Sequence, residues 1–370
     1  MSAPRLAATS ALVGITAQPQ RPLRRLPSQA AIALLLALLA VLAWSSVAVP
    51  RIEARQVAAE QAEQTGAAIG DFALYALIHE RVAAGEGYYS VAMDAQRAHN
   101  YPTRPFVTVR LPTLAWTNAL LGPAMVRNLE MLLLLGVAGA FFVRMRASLG
   151  LPQAAGGAVL ILLAGAAVMA EQAPSIHELA AGLLLSLAFV LYRADRLWPS
   201  LLAAALALAV RELALPFVLL WLAFAAWEKR WREAAAVGAV LALFAAGLAA
   251  HYLAVVAHGL PTDQASPGWQ ALVGPALPLY ALARMSGLTL LPLWLAGPLG
   301  VLPLLGWAGL GGRTGWFALL WSAGFFLAMA LFARTENFYW VLTVLPLYLA
   351  GFALVPRALG DLLAAATGRV

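Results

Sequence analysis

The sequence predicts an all-α integral membrane protein of about ten transmembrane helices, with a long first extracytoplasmic loop carrying interfacial helices. Three observations lead there. Of the 370 residues, 62% are hydrophobic and only 11% charged, against roughly 45–50% and about 25% in soluble globular domains. Apolar runs recur at about 20 residues, the length that crosses a bilayer, and few polar gaps exceed about 15 residues. The Lys and Arg residues stand between the apolar runs without forming a stripe interleaved with aromatics. The net charge of +7 therefore marks topology, and no nucleic-acid partner is expected.

In chain order, residues 1–29 hold Arg5, Arg21, Arg24 and Arg25, three prolines after position 18 and no acid, and read as a disordered basic cytoplasmic tail. The run 30–49 is the first span. A cleaved signal peptide competes for it, but its apolar core usually covers only about 7–15 residues, which favours an uncleaved anchor. The segment 50–123 is the one loop large enough to build a site. Within it, IGDFALYALIHERVAA (69–84) repeats apolar side chains at helical spacing and stops at Gly85, as an interfacial helix would. A second short helix is expected over 107–121. Further spans are expected near 125–143, 154–170, 179–192, 199–210, 213–227, 235–256, 287–309, 315–332 and 338–355. Residues 30–356 then form a single transmembrane domain, and 357–370 a short cytoplasmic tail.

Charge fixes the orientation. With the first tail inside, the inner segments take 14 of the 24 Lys and Arg residues and four of the 17 acids, a net +10 inside and −3 outside. Positive charge gathers on cytoplasmic loops, so both termini are expected inside and the loop 50–123 outside.

Several chemistries are excluded. With no Cys there is no disulfide framework, thiolate nucleophile, Cys-ligated zinc or iron–sulfur site. No P-loop, GxSxG, Rossmann fingerprint or HExxH appears; no cofactor and no metal site is expected.

Ionisable groups at a membrane boundary are costly, and each is a functional candidate beside the plainer reading of a solvated helix end. Asp71 opens the first interfacial helix, with Tyr75 and His79 one and two turns on along the same face. It reads either as a helix cap or as a general base for a polarised hydroxyl. Glu171, His177 and Glu178 share the turn AEQAPSIHE, where loop solvation competes with a catalytic or binding role. Arg211-Glu212 sits between two apolar runs, as an ion pair or as a guanidinium donor for a lipid phosphate. Arg334 stands in ARTENFYW, whose Phe338, Tyr339 and Trp340 read as an interfacial aromatic belt. The loop 258–286 adds Asp263, Trp269 and Arg284, as a lid or another interfacial segment.

The run GDFALYALIHERVAAGEGYY, followed by YPTRPFVTVRLP, resembles the first extracytoplasmic loop of the GT-C superfamily. These are multi-spanning glycosyltransferases that take sugars from polyprenyl-phosphate carriers. The matching positions are Asp71, Tyr75, Gly87-Tyr88-Tyr89, Pro102 with Pro105, and Arg110; VREL (210–213) and RTENFYWVLTVLP (334–346) resemble charged segments of such enzymes. The resemblance implies that Asp71 is the catalytic base, with Glu171 or Glu178 as the carboxylates that would otherwise take the role. Together with the reading of the individual residues, which adds His79 and His177, it leads to the expectation that Tyr75, His79, Tyr89, Arg110, His177, Arg211, Glu212 and Arg334 surround the substrate. The lack of an adjacent acidic pair at 70–72 fits a metal-independent member.

The expected function is a multi-pass inner-membrane glycosyltransferase, GT-C-like and inverting. Its expected partners are a polyprenyl-phosphate sugar donor, membrane lipids and an acceptor glycan, lipid or protein. Two other classes stay open: a transporter or lipid flippase, which tends to place ionisable residues near the midplane on broken helices, and a non-catalytic membrane assembly subunit.

Overall fold

A computed structural model describes residues 20–62 and 69–369. Fifteen α-helices appear among the described residues. In order they are α1 (Ser28–Ala62), α2 (Asp71–Ala83), α3 (Tyr88–Ala98), α4 (Thr113–Leu121), α5 (Pro123–Leu149), α6 (Leu151–Ala164), α7 (His177–Leu191) and α8 (Trp198–Val210). Then follow α9 (Leu215–Trp227), α10 (Trp231–Ala257), α11 (Ala276–Met285), α12 (Leu293–Leu310), α13 (Gly312–Phe332), α14 (Leu345–Tyr348) and α15 (Val355–Ala366), the last two joined by a 3-10 stretch, Leu349–Leu354.

Six helical segments are long and apolar enough to cross a membrane: Ser28–Val57, Pro123–Leu149, Trp231–Ala257, Leu293–Leu310, Gly312–Phe332 and Leu345–Ala366. Four shorter apolar helices accompany them. On α1, Ile32, Leu36, Leu39, Trp44 and Val47 face outward, and on α10 so do Leu243, Leu253 and Val256. Apolar faces this continuous are rare on soluble monomers and fit a multi-pass membrane protein, where lipid covers them.

Turns follow from local chemistry. Gly150 adopts φ 83° between α5 and α6, a conformation glycine reaches without steric cost, and Pro152 then enters the first turn of α6, where its missing N–H is not needed. The centre of the bundle is α7, with both His177 and Glu178 at its start buried. It packs on α5, α8 and the 3-10 segment Thr335–Thr343. A Cβ at Gly182 would run into the Leu342 carbonyl. That glycine lets the 335–343 segment lie directly on α7.

Several boundaries differ from the sequence reading: the last span begins at Leu345, not 338, after the 3-10 segment Thr335–Thr343, and the loop expected over 258–286 ends in the buried helix α11. α1 runs on past residue 49 to Ala62. The single helix expected over 107–121 is a 3-10 turn, Phe106–Thr108, and then α4, because a residue preceding a proline is disfavoured in the helical region and Pro112 marks the start of α4. The unforeseen α3 fills 88–98. At the ends, residues 1–19 of the expected tail lie outside the described residues. Residues 20–27 pack on the bundle, with Leu23 buried and Arg21 paired to Asp361. The 357–366 stretch continues α15 with Ala358, Leu362 and Ala365 buried.

Candidate functional site

Chain segments far apart in sequence meet around one cavity of about 250 Å³, lined by Asp71 and Tyr75 from α2, Arg110, Arg211 and Glu212 at the α8–α9 junction, and Arg334. Six residues singled out from the sequence thus come together.

Asp71 does not cap its helix. Gly70 takes the N-cap position and Asp71 the first helical one, where the helix dipole favours a carboxylate. Its side chain is therefore free to accept a hydrogen bond from the Tyr339 hydroxyl at 2.5 Å. The Tyr339 ring is fixed edge-on against Phe72, 5.1 Å between centroids. Tyr339 is buried, which corrects the reading of this aromatic as part of an interfacial belt. Burial, and the negative charge of Asp71, push the Tyr101 phenol up, so it stays neutral beside the cavity.

Tyr75 lies one turn beyond Asp71. The Arg110 guanidinium sits 5.4 Å from its ring centroid and His177 meets its edge at 5.1 Å. Burial pushes the Tyr75 hydroxyl up to about 12, against the opposing charge of Arg110. Arg110 is held from two sides: its carbonyl accepts from the Tyr88 hydroxyl at 2.6 Å, and its Nη2 donates weakly to Tyr339 at 3.4 Å.

Arg211 is 1% exposed. Its Nε donates to Glu178 at 2.7 Å and its Nη1 to Glu212. Nη2 of Arg211, Nε of Arg110 and Nε of Arg334 are all buried without a hydrogen-bond partner among the described residues. A buried donor left unpaired costs roughly 1–3 kcal/mol. Three of them, on guanidinium groups around one cavity, are donors of the kind that recognise an anion with several oxygens.

Glu178 and His177 do not line the cavity. They stand behind it, both buried, which overturns the loop-solvation reading: Glu178 orients Arg211, and His177 packs on Tyr75. His79 lies in the same seam, its ring 6.1 Å from that of His177, and burial lowers it to about 4. Tyr89 turns away to His251, 3.2 Å from Nδ1, at a separate apolar groove of about 480 Å³. Glu171 is exposed on its turn.

The cavity is also lined by Gln96 and Asn337, which the sequence does not single out, by Tyr101, and by Trp269 and Trp340, which it reads as part of a lid or interfacial segment and of an interfacial aromatic belt. For Asn337 and Trp340 the available signal was position, since both share the short charged segment with Arg334. Among the described residues no group of three His, Asp or Glu side chains stands together as a metal site. No family model, curated protein or solved structure matches the chain.

Proposed function

We propose that the chain is an integral membrane glycosyltransferase that moves a sugar from a polyprenyl-phosphate donor to an acceptor hydroxyl, with inversion, on the extracytoplasmic side of a bacterial-type inner membrane. The observation that carries this reading is the set of unpaired N–H donors on Arg110, Arg211 and Arg334 around a cavity that Asp71 also lines. The arginines bind the phosphate and stabilise the charge that grows on it. Asp71 removes the acceptor proton as the hydroxyl oxygen attacks the anomeric carbon. The bond from that carbon to the phosphate oxygen breaks, and its electron pair leaves with the lipid phosphate. In this reading the ten apolar helices are the ten spans, and the division of charge puts both termini in the cytoplasm.

Asp71→Asn keeps the size and polarity of the side chain and removes the base. The purified variant is expected to hold its thermal stability and lose transfer of labelled sugar from a polyprenyl-phosphate donor by roughly 10²-fold or more. Near-normal transfer by the folded variant contradicts the assignment.

One observation favours a second reading, a lipid flippase or transporter. Glu130 is buried on α5, seven residues past Pro123 and so about 10 Å along the axis, and neither carboxylate oxygen has a partner among the described residues. Intramembrane carboxylates often mark transport pathways. That reading requires Glu130→Gln to abolish activity and Asp71→Asn to spare it.

A further inference from the structure

We propose that Trp269, Asn337 and Trp340, which line the cavity, form the sugar-ring subsite, with Trp269 as its stacking platform; the inference rests on the glycosyltransferase reading and deepens it.

Trp269 belongs to the connection between α10 and α11, which is pinned to the protein on both sides of it. On the near side, Arg97 donates to Asp263 through Nε at 2.7 Å and Nη2 at 3.2 Å, and to the His258 carbonyl at 2.7 Å. The Thr103 and Arg104 amides donate to the Gln264 carbonyl at 3.1 and 3.2 Å, and the Ser266 amide to the Arg104 carbonyl at 2.6 Å. On the far side, the Leu272 and Gly274 amides donate to Leu331 and Ala330 at 3.3 and 3.0 Å. Only 267–271 lies between these anchors, and it carries the half-buried Trp269 indole at the cavity.

Two other lining residues carry polar atoms still to be satisfied. Asn337 is 6% exposed, and its Oδ1 has no partner. The Nε1 of Trp340 is a buried N–H donor, also without a partner among the described residues. Each sugar hydroxyl can both donate and accept, so a ring with neighbouring hydroxyls would satisfy an amide oxygen and an indole N–H together. An aldose ring also has one face of C–H bonds that packs on an aromatic surface. These three side chains are neutral, whereas the arginines and acids come from the α8–α9 junction, residue 110, the start of α2 and residue 334, three positions before Asn337. Phosphate belongs with the arginines, and the uncharged ring with the indoles and amide.

The test uses the full-length chain in detergent with two kinds of probe, farnesyl phosphate and farnesyl phosphate esterified to glucose, mannose or arabinose. The wild type should bind at least one sugar-bearing probe more tightly than farnesyl phosphate. Trp269→Ala should weaken that probe about tenfold, a typical loss for truncating a central aromatic contact, and leave farnesyl phosphate unchanged. Trp269→Phe should keep most of the affinity, and Arg334→Ala should weaken both kinds of probe. If Trp269→Ala spares the sugar-bearing probes, or weakens farnesyl phosphate equally, the subsite is overturned while the phosphate site stands. If the wild type binds farnesyl phosphate but no sugar-bearing probe more tightly, the subsite is likewise overturned. If the wild type binds neither kind of probe, the glycosyltransferase reading falls and takes the subsite with it.

Discussion

Arg211 and Arg334 look interchangeable in sequence, since each stands at the end of an apolar run with a carboxylate nearby, yet they occupy different physical situations. Arg211 is the shared partner of Glu178 and Glu212, and Glu178 is fully buried. Arg211→Ala would strand that carboxylate, a change worth roughly 3–5 kcal/mol, so its first effect should be a large fall in apparent Tm. Arg334 is only half-buried and makes no ion pair among the described residues. Arg334→Ala should hold stability within about 1 kcal/mol and weaken lipid-phosphate binding. His79 gives a pH signature of the site's interior. Its value falls from 6.5 to about 4 in the folded protein, so between those limits the unfolded chain binds a proton that the native one refuses. Stability should drop as pH falls from about 6.5 to 4, by on the order of 3 kcal/mol, and His79→Phe should flatten that slope in a Tm-against-pH series. Asp71 and Tyr75 were legible because charge and helical spacing exposed them, and Arg110 only because its motif resembles that of a known family. Tyr339 was not, because its partner Asp71 lies 268 residues away in sequence and its aromatic neighbours suggested a membrane interface.

At the scale of elements, the apolar period over 69–84 sufficed for α2. The same period was present in α3, where Tyr88, Val91, Ala92 and Ala95 are buried at i, i+3, i+4 and i+7. The other face of YYSVAMDAQRA is polar, so hydropathy alone does not raise this helix above the surrounding loop. What no local signal offered was the pairing of α3 with the connection after α10. The Arg97–Asp263 pair makes that join, and the Asp263 side chain is 1% exposed. Arg97→Ala should speed amide exchange over 260–266 and cost about 1–3 kcal/mol, with exchange in α7 unchanged. Equal exchange in wild type and variant over 260–266 would show that the backbone hydrogen bonds to 103–104 suffice.

Over the whole molecule, polar chemistry collects at two ends of an apolar bundle. Around the His177 end of α7 stand Asp71, Arg110, Arg211 and Glu212. Past its other end, Tyr192, Arg230 and Arg313 surround Glu233, which also accepts from the Trp221 indole at 2.6 Å. The 15 residues of α7 separate the two clusters by roughly 22 Å. The sequence divided the same residues into an outer and an inner set by charge alone. Because the chain has no Cys, single replacements can test the sidedness: Glu86→Cys should react with an impermeant maleimide in intact cells, and Arg232→Cys only after permeabilisation. Labelling of Arg232→Cys from outside would invert the topology. The most direct test of the central claim is an experimental structure of the full chain with farnesyl phosphate. The phosphate should lie in the cavity within hydrogen-bond reach of Arg211 Nη2, Arg110 and Arg334, beside Asp71. A phosphate seated elsewhere, or a lipid confined to the groove at Tyr89 and His251 with its head group away from these arginines, would contradict the account.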